Sequence, residues 1–218
     1  MNIFSPNSWL SRFLNLVADI VLFHVLWIVF SLPIVTIGAS TTALYYCCMK
    51  RIRRDEGYIA RNFFNAFKSN FKQSTLIWLL VLVVGFVLYT DFRIGMAVEG
   101  GLGTFMLVSC SVLLIPFFCT VLYIFPVQAK FENKIRDNLK NAFLMSLSNF
   151  QWTLFLVFIL ATFVLLTLNF APFIGLMLIS GVGIYAYLTS NIYIYVFRKY
   201  LPDELEEDAM ASRLDQEN

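Results

Sequence analysis

The residues best suited to chemistry lie on one stripe of the first hydrophobic segment. They recur at helical spacing, and we refer to them as the polar stripe: Ser8, Ser11, Arg12, Asn15 and Asp19. Asp19 lies about 10 Å of helix beyond Arg12, at a depth where a charge is costly and normally faces a partner or a water-filled cavity. The stripe could be a proton or solute site that opens to the cytoplasm. It could also be structural, with Asp19 paired to a base elsewhere in the bundle.

The sequence shows no other arrangement typical of catalysis or metal binding. His24 is the only histidine and lies about 140° around a helix from Asp19, so the two form no obvious relay. The cysteines lie in hydrophobic segments and form no C-x-x-C pair: Cys47, Cys48, Cys110 and Cys119. A Walker lysine motif is also absent. We therefore expect a protein that is not an enzyme and has no cofactor or metal site.

The elements that carry these residues are predicted to be membrane helices. The chain is 59% hydrophobic and only 14% charged, whereas about a quarter of the residues in a soluble domain are charged. Its uncharged runs are long enough for helices that cross a bilayer, and they cover 20–49, 73–90, 100–129 and 141–197. We expect an all-α, multi-pass membrane protein with one transmembrane domain, 1–200, and an acidic cytoplasmic tail, 201–218.

The distribution of basic residues predicts which loops are cytoplasmic. Residues 50–72 contain seven Lys or Arg residues and residues 130–140 contain four, whereas 91–101 contains only Arg93. Cytoplasmic loops are enriched in such residues, which predicts that the two basic segments lie on the cytoplasmic side of a bacterial plasma membrane. Because these bases flank hydrophobic segments, they suit anionic lipid headgroups and not a nucleic acid.

The segment 13–49 decides whether the chain crosses five or six times. As one helix it would be about 55 Å long, far beyond the roughly 30 Å hydrocarbon core, and Pro33 disfavours an unbroken helix. A short repeat also favours six, since Asn-Ala-Phe at 65–67 recurs at 141–143 before a second hydrophobic segment. We predict six helices in three hairpins with both termini cytoplasmic, the spans being about 13–32, 39–55, 74–92, 102–128, 150–168 and 173–197.

Residues 57–72 are predicted to form an interfacial amphipathic helix. Ala60 and four phenylalanines lie on one face, and Arg61, Asn65 and two lysines lie on the other. The helix could lie on the inner leaflet and pack under the spans, or it could dock on a cytoplasmic partner. The candidate docking residues are Phe63, Phe64, Phe67, Lys68, Phe71 and Lys72.

Two adjacent stretches carry a family resemblance. The chain from 26 to 46 reads LWIVFSLPIVTIGASTTALYY, and the chain from 53 to 78 reads RRDEGYIARNFFNAFKSNFKQSTLIW. Together they resemble the YesL-like family of bacterial membrane proteins. Members of that family commonly occur beside sugar-import and glycan-degradation systems in Gram-positive bacteria. The resemblance therefore implies a role near carbohydrate uptake, and it assigns no catalytic residue.

Three functional hypotheses follow. The leading one is a non-enzymatic accessory membrane subunit of a carbohydrate ABC importer, which binds the permease subunits within the lipid bilayer. Residues 57–72 and the acidic tail would then be cytoplasmic contacts, including contacts with the ATPase. The alternative is an independent small-solute or proton-coupled permease that uses the polar stripe. A third hypothesis, with less support in the sequence, is an assembly factor for envelope glycans.

Overall fold

The structure is a computed structural model that describes residues 9–54, 58–131 and 133–201. Eight α-helices occur within these ranges: α1 Trp9–Ser31, α2 Ile37–Arg54, α3 Ile59–Ala97, α4 Gly101–Lys130, α5 Ile135–Ser148, α6 Phe150–Asn169, α7 Ala171–Leu176 and α8 Val182–Arg198. A 3-10 turn, Ile34–Thr36, precedes α2, and a π-helical turn, Met177–Gly181, joins α7 to α8. The described ranges contain no strand, which confirms the all-α prediction.

Five helices are long and apolar enough to cross a membrane: Leu10–Ser31, Ile59–Ala97, Gly101–Lys130, Phe150–Asn169 and Ala171–Arg198. The last of these runs without a break through α7, the π-helical turn and α8. The chain is therefore a multi-pass membrane protein. The predicted span 39–55 is not among the five, so the count of six is not confirmed.

Helix α2, which is not among the helices long and apolar enough to cross a membrane, lies at the centre of the bundle. It packs against α1, α3, α4 and α8, and most of its length is buried, including Ala39, Ala43, Leu44 and Cys48. A helix that is enclosed by other helices does not need an apolar surface toward lipid, and small residues let its neighbours approach closely. This position explains why α2 is less hydrophobic than the helices around it.

The first three helices form two consecutive antiparallel hairpins. In the first hairpin, Trp27 Nε1 of α1 donates a hydrogen bond to Thr41 Oγ1 of α2 over 3.1 Å. In the second, the hydroxyls of Thr42 in α2 and Ser74 in α3 are 2.9 Å apart. Gly38 permits this second contact, because a Cβ at that position would lie only 2.5 Å from the carbonyl oxygen of Ser74. The α2 and α3 backbones are therefore in close contact.

The predicted interfacial helix and the predicted span 74–92 form one continuous helix. α3 has 39 residues and is about 58 Å long, nearly twice the thickness of a hydrocarbon core. No proline or glycine interrupts residues 59–84, and this explains why the chain does not break near Lys72 as expected. The related segment 141–156 does break, at Asn149 between α5 and α6.

The last helix closes the bundle against α1. A Cβ at Gly183 would lie 2.4 Å from the carbonyl oxygen of Ile20, so α8 and α1 also touch through their backbones. One turn away, His24 Nε2 lies 3.0 Å from the carbonyl oxygen of Leu178, within the π-helical turn. A π-helical turn leaves carbonyl groups without their usual helical partners. The buried His24 thus has a hydrogen-bonding partner in the π-helical turn that precedes α8.

Substituting Gly38 tests the close packing of α2 against α3. Gly38→Leu forces a side chain into the Ser74 backbone, and we expect an overpacking cost of about 1–3 kcal/mol. The apparent melting temperature of the protein in detergent should fall by several degrees. The matched control is Gly175→Leu, because a Cβ at Gly175 meets no atom within 4 Å. Equal melting temperatures for the two variants would contradict the packing described here.

Candidate functional site

Three residues of the polar stripe lie beside a cavity where α1, α2 and α8 meet, and Ser11 is not among the residues that line it. Arg12, Asn15 and Asp19 line this cavity of about 510 Å³ together with side chains of the other two helices, Arg51 and Tyr187. Arg12 and Asn15 are exposed, and Asp19 is half-buried. The helical spacing in the sequence therefore placed these three residues correctly on one face. Ser8 lies outside the described residues.

Asp19 forms an ion pair with Arg51 of α2. The Nε atom of Arg51 lies 2.6 Å from Oδ2 of Asp19, and the two side chains are only 16% and 22% exposed. A charge-assisted hydrogen bond of this kind is stronger than a neutral one. The geometry agrees with the structural reading of Asp19, in which the carboxylate pairs with a base elsewhere in the bundle. Sequence reasoning missed Arg51 because it looked like one member of a cytoplasmic group of bases.

The six candidate docking residues of α3 divide into two groups. Phe63 is fully buried and Phe67 partly buried, and their ring centroids lie 5.5 and 4.8 Å from that of Phe30 in α1. These two rings pack inside the protein and are not available to a partner. The other four side chains are exposed, although the ring centroid of Phe64 also lies 6.2 Å from that of Phe30. We call these four the α3 face: Phe64, Lys68, Phe71 and Lys72. An amphipathic pattern alone does not distinguish an internal contact from an external one.

Three amide side chains form a hydrogen-bonded chain that the sequence did not reveal. Asn138 Nδ2 of α5 donates to Gln128 Oε1 of α4 over 2.6 Å, and Gln128 Nε2 donates to Asn70 Oδ1 of α3 over 3.1 Å. Asn70 Nδ2 then donates to the carbonyl oxygen of Ala66. We call Asn138, Gln128 and Asn70 the amide ladder. The one available signal was Gln128, the only amide residue in the uncharged run 100–129.

The amide ladder and the ion pair lie at the same end of the bundle, which we call the basic end. The C-terminal parts of α2, α4 and α8 meet there, with the rings of Phe131 and Phe197 5.3 Å apart. Lys199 Nζ donates to Asn149 Oδ1 at the α5–α6 junction over 3.1 Å, and Lys50 Nζ donates to Asn62 Oδ1 of α3 over 3.4 Å. Several of the polar contacts between elements thus lie at this end.

A double-mutant cycle tests the ion pair. Asp19→Asn and Arg51→Gln each remove a charge-assisted hydrogen bond, which contributes roughly 1.5–3 kcal/mol, and each takes the ion-pair partner away from a partly buried charge. We expect each variant to lower the apparent melting temperature in detergent. The double variant should lose clearly less than the sum of the two losses. Glu99→Gln, at an exposed loop position, is the control and should have little effect. Strictly additive losses would show that the two residues act independently.

A comparison with protein-family models shows a match in the first part of the chain. A family model described as "Protein of unknown function, DUF624" matches residues 20–92, which run from α1 into α3. The uncharacterized protein YesL of Bacillus subtilis (strain 168) is 29% identical over 150 residues, which cover 67% of this chain and 70% of that protein. No solved structure matches. The matched segment includes residues 26–78, which carry the sequence resemblance, and both matches confirm that the chain is similar to the YesL-like family of membrane proteins.

Proposed function

We propose that this protein is a non-enzymatic accessory subunit of a carbohydrate ABC importer, and that it binds the permease subunits in the bacterial plasma membrane. The observation that carries this proposal is the exposed α3 face, with two aromatic and two cationic side chains on one side of a helix. The association of YesL-like proteins with sugar-import systems indicates the class of partner.

The length of α3 supports a position outside the hydrocarbon core for this face. The core accommodates about 20 residues of a helix, and the uncharged, apolar part of α3 is 73–90. The α3 face precedes it, at the basic end. By the tendency of cytoplasmic segments to carry Lys and Arg, the basic end is the cytoplasmic one. With α2 as a sixth crossing, both termini lie in the cytoplasm.

The chemistry of the α3 face suits a protein partner. Phe64 and Phe71 are 51% and 39% exposed, and aromatic side chains of this kind contribute most when they enter a pocket on a partner. Lys68 and Lys72 lie beside them and favour a partner with acidic side chains around that pocket. The amide ladder joins this part of α3 to α4 and α5, so the face is presented on a fixed support.

The independent permease is the second candidate, and the cavity beside Arg12, Asn15 and Asp19 favours it. It requires solute or proton flux in proteoliposomes that contain no other protein, and this flux should disappear in Asp19→Asn. The ion pair with Arg51 favours the accessory subunit, because it gives Asp19 a structural role. The acidic tail, the other predicted contact, lies outside the described residues from 202 onward.

Affinity purification from native membranes in mild detergent tests the proposal. The wild-type protein should recover an ABC permease pair in stoichiometric amount. A variant with Phe64→Ala, Lys68→Glu, Phe71→Ala and Lys72→Glu should recover at least about tenfold less, because interface hot spots contribute about 2 kcal/mol or more each. Recovery is measured by quantitative mass spectrometry.

A matched control lies on α5, at the same end of the molecule. Arg136, Lys140, Leu144 and Leu147 form an exposed face with two cations and two apolar side chains. Changing them to Glu, Glu, Ala and Ala alters the charge and the apolar surface in a similar way, and recovery of the permease should stay near the wild-type amount. Equal losses in the two variants would refute the α3 face as the contact. Recovery of the wild-type protein alone would refute the accessory role.

A further inference from the structure

A second cavity, which we call the amide cleft, lies at the basic end. It has a volume of about 600 Å³ and lies between α3, the end of α4 and the connection that leads to α5. Six of its lining residues carry side-chain amides: Asn62, Asn65, Asn70, Gln73, Gln128 and Asn133. The volume falls in the range of sites for small molecules, about 300–1,000 Å³.

The six amides divide into those that hold the structure and those with unused hydrogen-bonding groups. Asn70 and Gln128 belong to the amide ladder and bond to other parts of the protein, and Asn62 Oδ1 accepts a hydrogen bond from Lys50 Nζ. Asn65 and the side chain of Asn133 have no hydrogen-bonding partner within the part of the chain that the structure describes. Gln73 donates its Nε2 to the carbonyl oxygen of Asn133 over 2.6 Å and keeps its Oε1. The cleft thus presents amide donors and acceptors side by side.

This combination indicates the chemical class of a ligand. Each primary amide offers two N–H donors and one carbonyl acceptor, which matches hydroxyl groups that both donate and accept. Among the described residues that line the cleft there is no carboxylate for a cation and only one lysine, Lys130, for an anion; Glu132 lies outside the described residues. The rings of Tyr46 and Phe131 also line the cleft and offer apolar surface to the C–H groups of a sugar. We propose that the amide cleft binds a neutral polyhydroxylated group, that of a sugar.

Most of the cleft lies on a different side of α3 from the α3 face. Asn62 and Gln73 point roughly 140° around the helix from the mean direction of the α3 face, whereas Asn65 borders Lys68 and Lys72. The inference does not rest on the proposed docking, and substituting Asn65 and Asn133 keeps all four side chains of the α3 face. The cleft also lies beside the start of the apolar part of α3, so a free sugar and the sugar headgroup of a glycolipid are two sources of the same chemistry.

Binding measurements on the purified full-length protein in nanodiscs test the inference. In one arm, the nanodiscs contain phosphatidylethanolamine and phosphatidylglycerol, and the probes are glucose, galactose, rhamnose, N-acetylglucosamine and maltose. Saturation-transfer NMR and calorimetry measure the binding of each probe. In the other arm, no free sugar is present, and diglucosyl diacylglycerol is added to the nanodiscs. Native mass spectrometry then measures which lipid stays bound. Inorganic phosphate is the anionic comparison probe.

The variants separate binding from folding. Asn65→Leu combined with Asn133→Leu removes the unpartnered amides, and both positions are exposed, so the melting temperature should not change. Sugar affinity should fall at least about tenfold, which corresponds to about 1.4 kcal/mol. The control is Asn141→Leu. Asn141 occupies the same position as Asn65 in the repeated Asn-Ala-Phe sequence but does not line the cleft, and this variant should bind as the wild-type protein does.

Each possible result of the binding measurements either supports or overturns the inference that the amide cleft binds a sugar. Binding of a free sugar or of the glycolipid, lost in the double variant and kept in Asn141→Leu, supports the inference and identifies the source. Binding that is unchanged in the double variant overturns it. Binding of phosphate or phosphatidylglycerol alone, or of no probe in either arm, also overturns it. Because the double variant leaves the α3 face intact, it should still recover the permease, so failure here is distinct from failure of the proposed docking.

Discussion

The enclosure of α2 by its neighbours is the constraint from which the rest of the architecture follows. This helix contains five hydroxyl side chains: Ser40, Thr41, Thr42, Tyr45 and Tyr46. Lipid cannot hydrogen-bond to such groups, so a helix of this composition is stable in a bilayer only where other helices cover it. The covering helices are α1, α3, α4 and α8. The positions of four of the five apolar helices therefore depend partly on contacts with α2, which is less apolar than they are.

Polar contacts then fix the relative positions of the helices that enclose α2. Away from water, an unsatisfied donor or acceptor costs more than a hydrogen bond contributes, and a shift of one helical turn would break several bonds at once. Thr42 bonds to Ser74, and Trp27 to Thr41. Tyr193 of α8 donates to the carbonyl oxygen of Leu122 in α4 over 2.7 Å. Apolar packing alone would allow many registers, whereas these pairs select one.

Hydropathy was sufficient to place the lipid-facing helices, because lipid imposes a simple requirement on sequence. The predicted spans 74–92, 102–128, 150–168 and 173–197 fall within helices that meet the length and hydropathy for crossing, and 13–32 extends one residue beyond such a helix. It was not sufficient for α2, whose environment is protein. It was also not sufficient for Phe63, since the same amphipathic pattern suits a face that meets lipid headgroups and a face that packs on Phe30.

The candidate sites were less accessible to sequence reasoning, because their residues meet only in three dimensions. Spacing on one helix was enough to group Arg12, Asn15 and Asp19, but Arg51 is 32 positions from Asp19. The amide ladder joins three helices, and its members Asn70 and Gln128 are 58 positions apart. A sequence motif is visible when one element carries the whole set. Here each site is shared among elements, and the order of the helices is what brings its parts together.

The continuity of α3 determines how its two candidate surfaces could affect one another. Coupling between sites through a conformational change requires an element with two stable arrangements. Residues 59–84 contain neither proline nor glycine, and contacts with α2 and α4 hold this part of the helix along its length. It therefore offers no evident hinge between the α3 face and the amide cleft. A sugar bound in the cleft and a partner bound on the α3 face would therefore be held close together by the same helix. For one to change the binding of the other directly, both would have to contact the same residues.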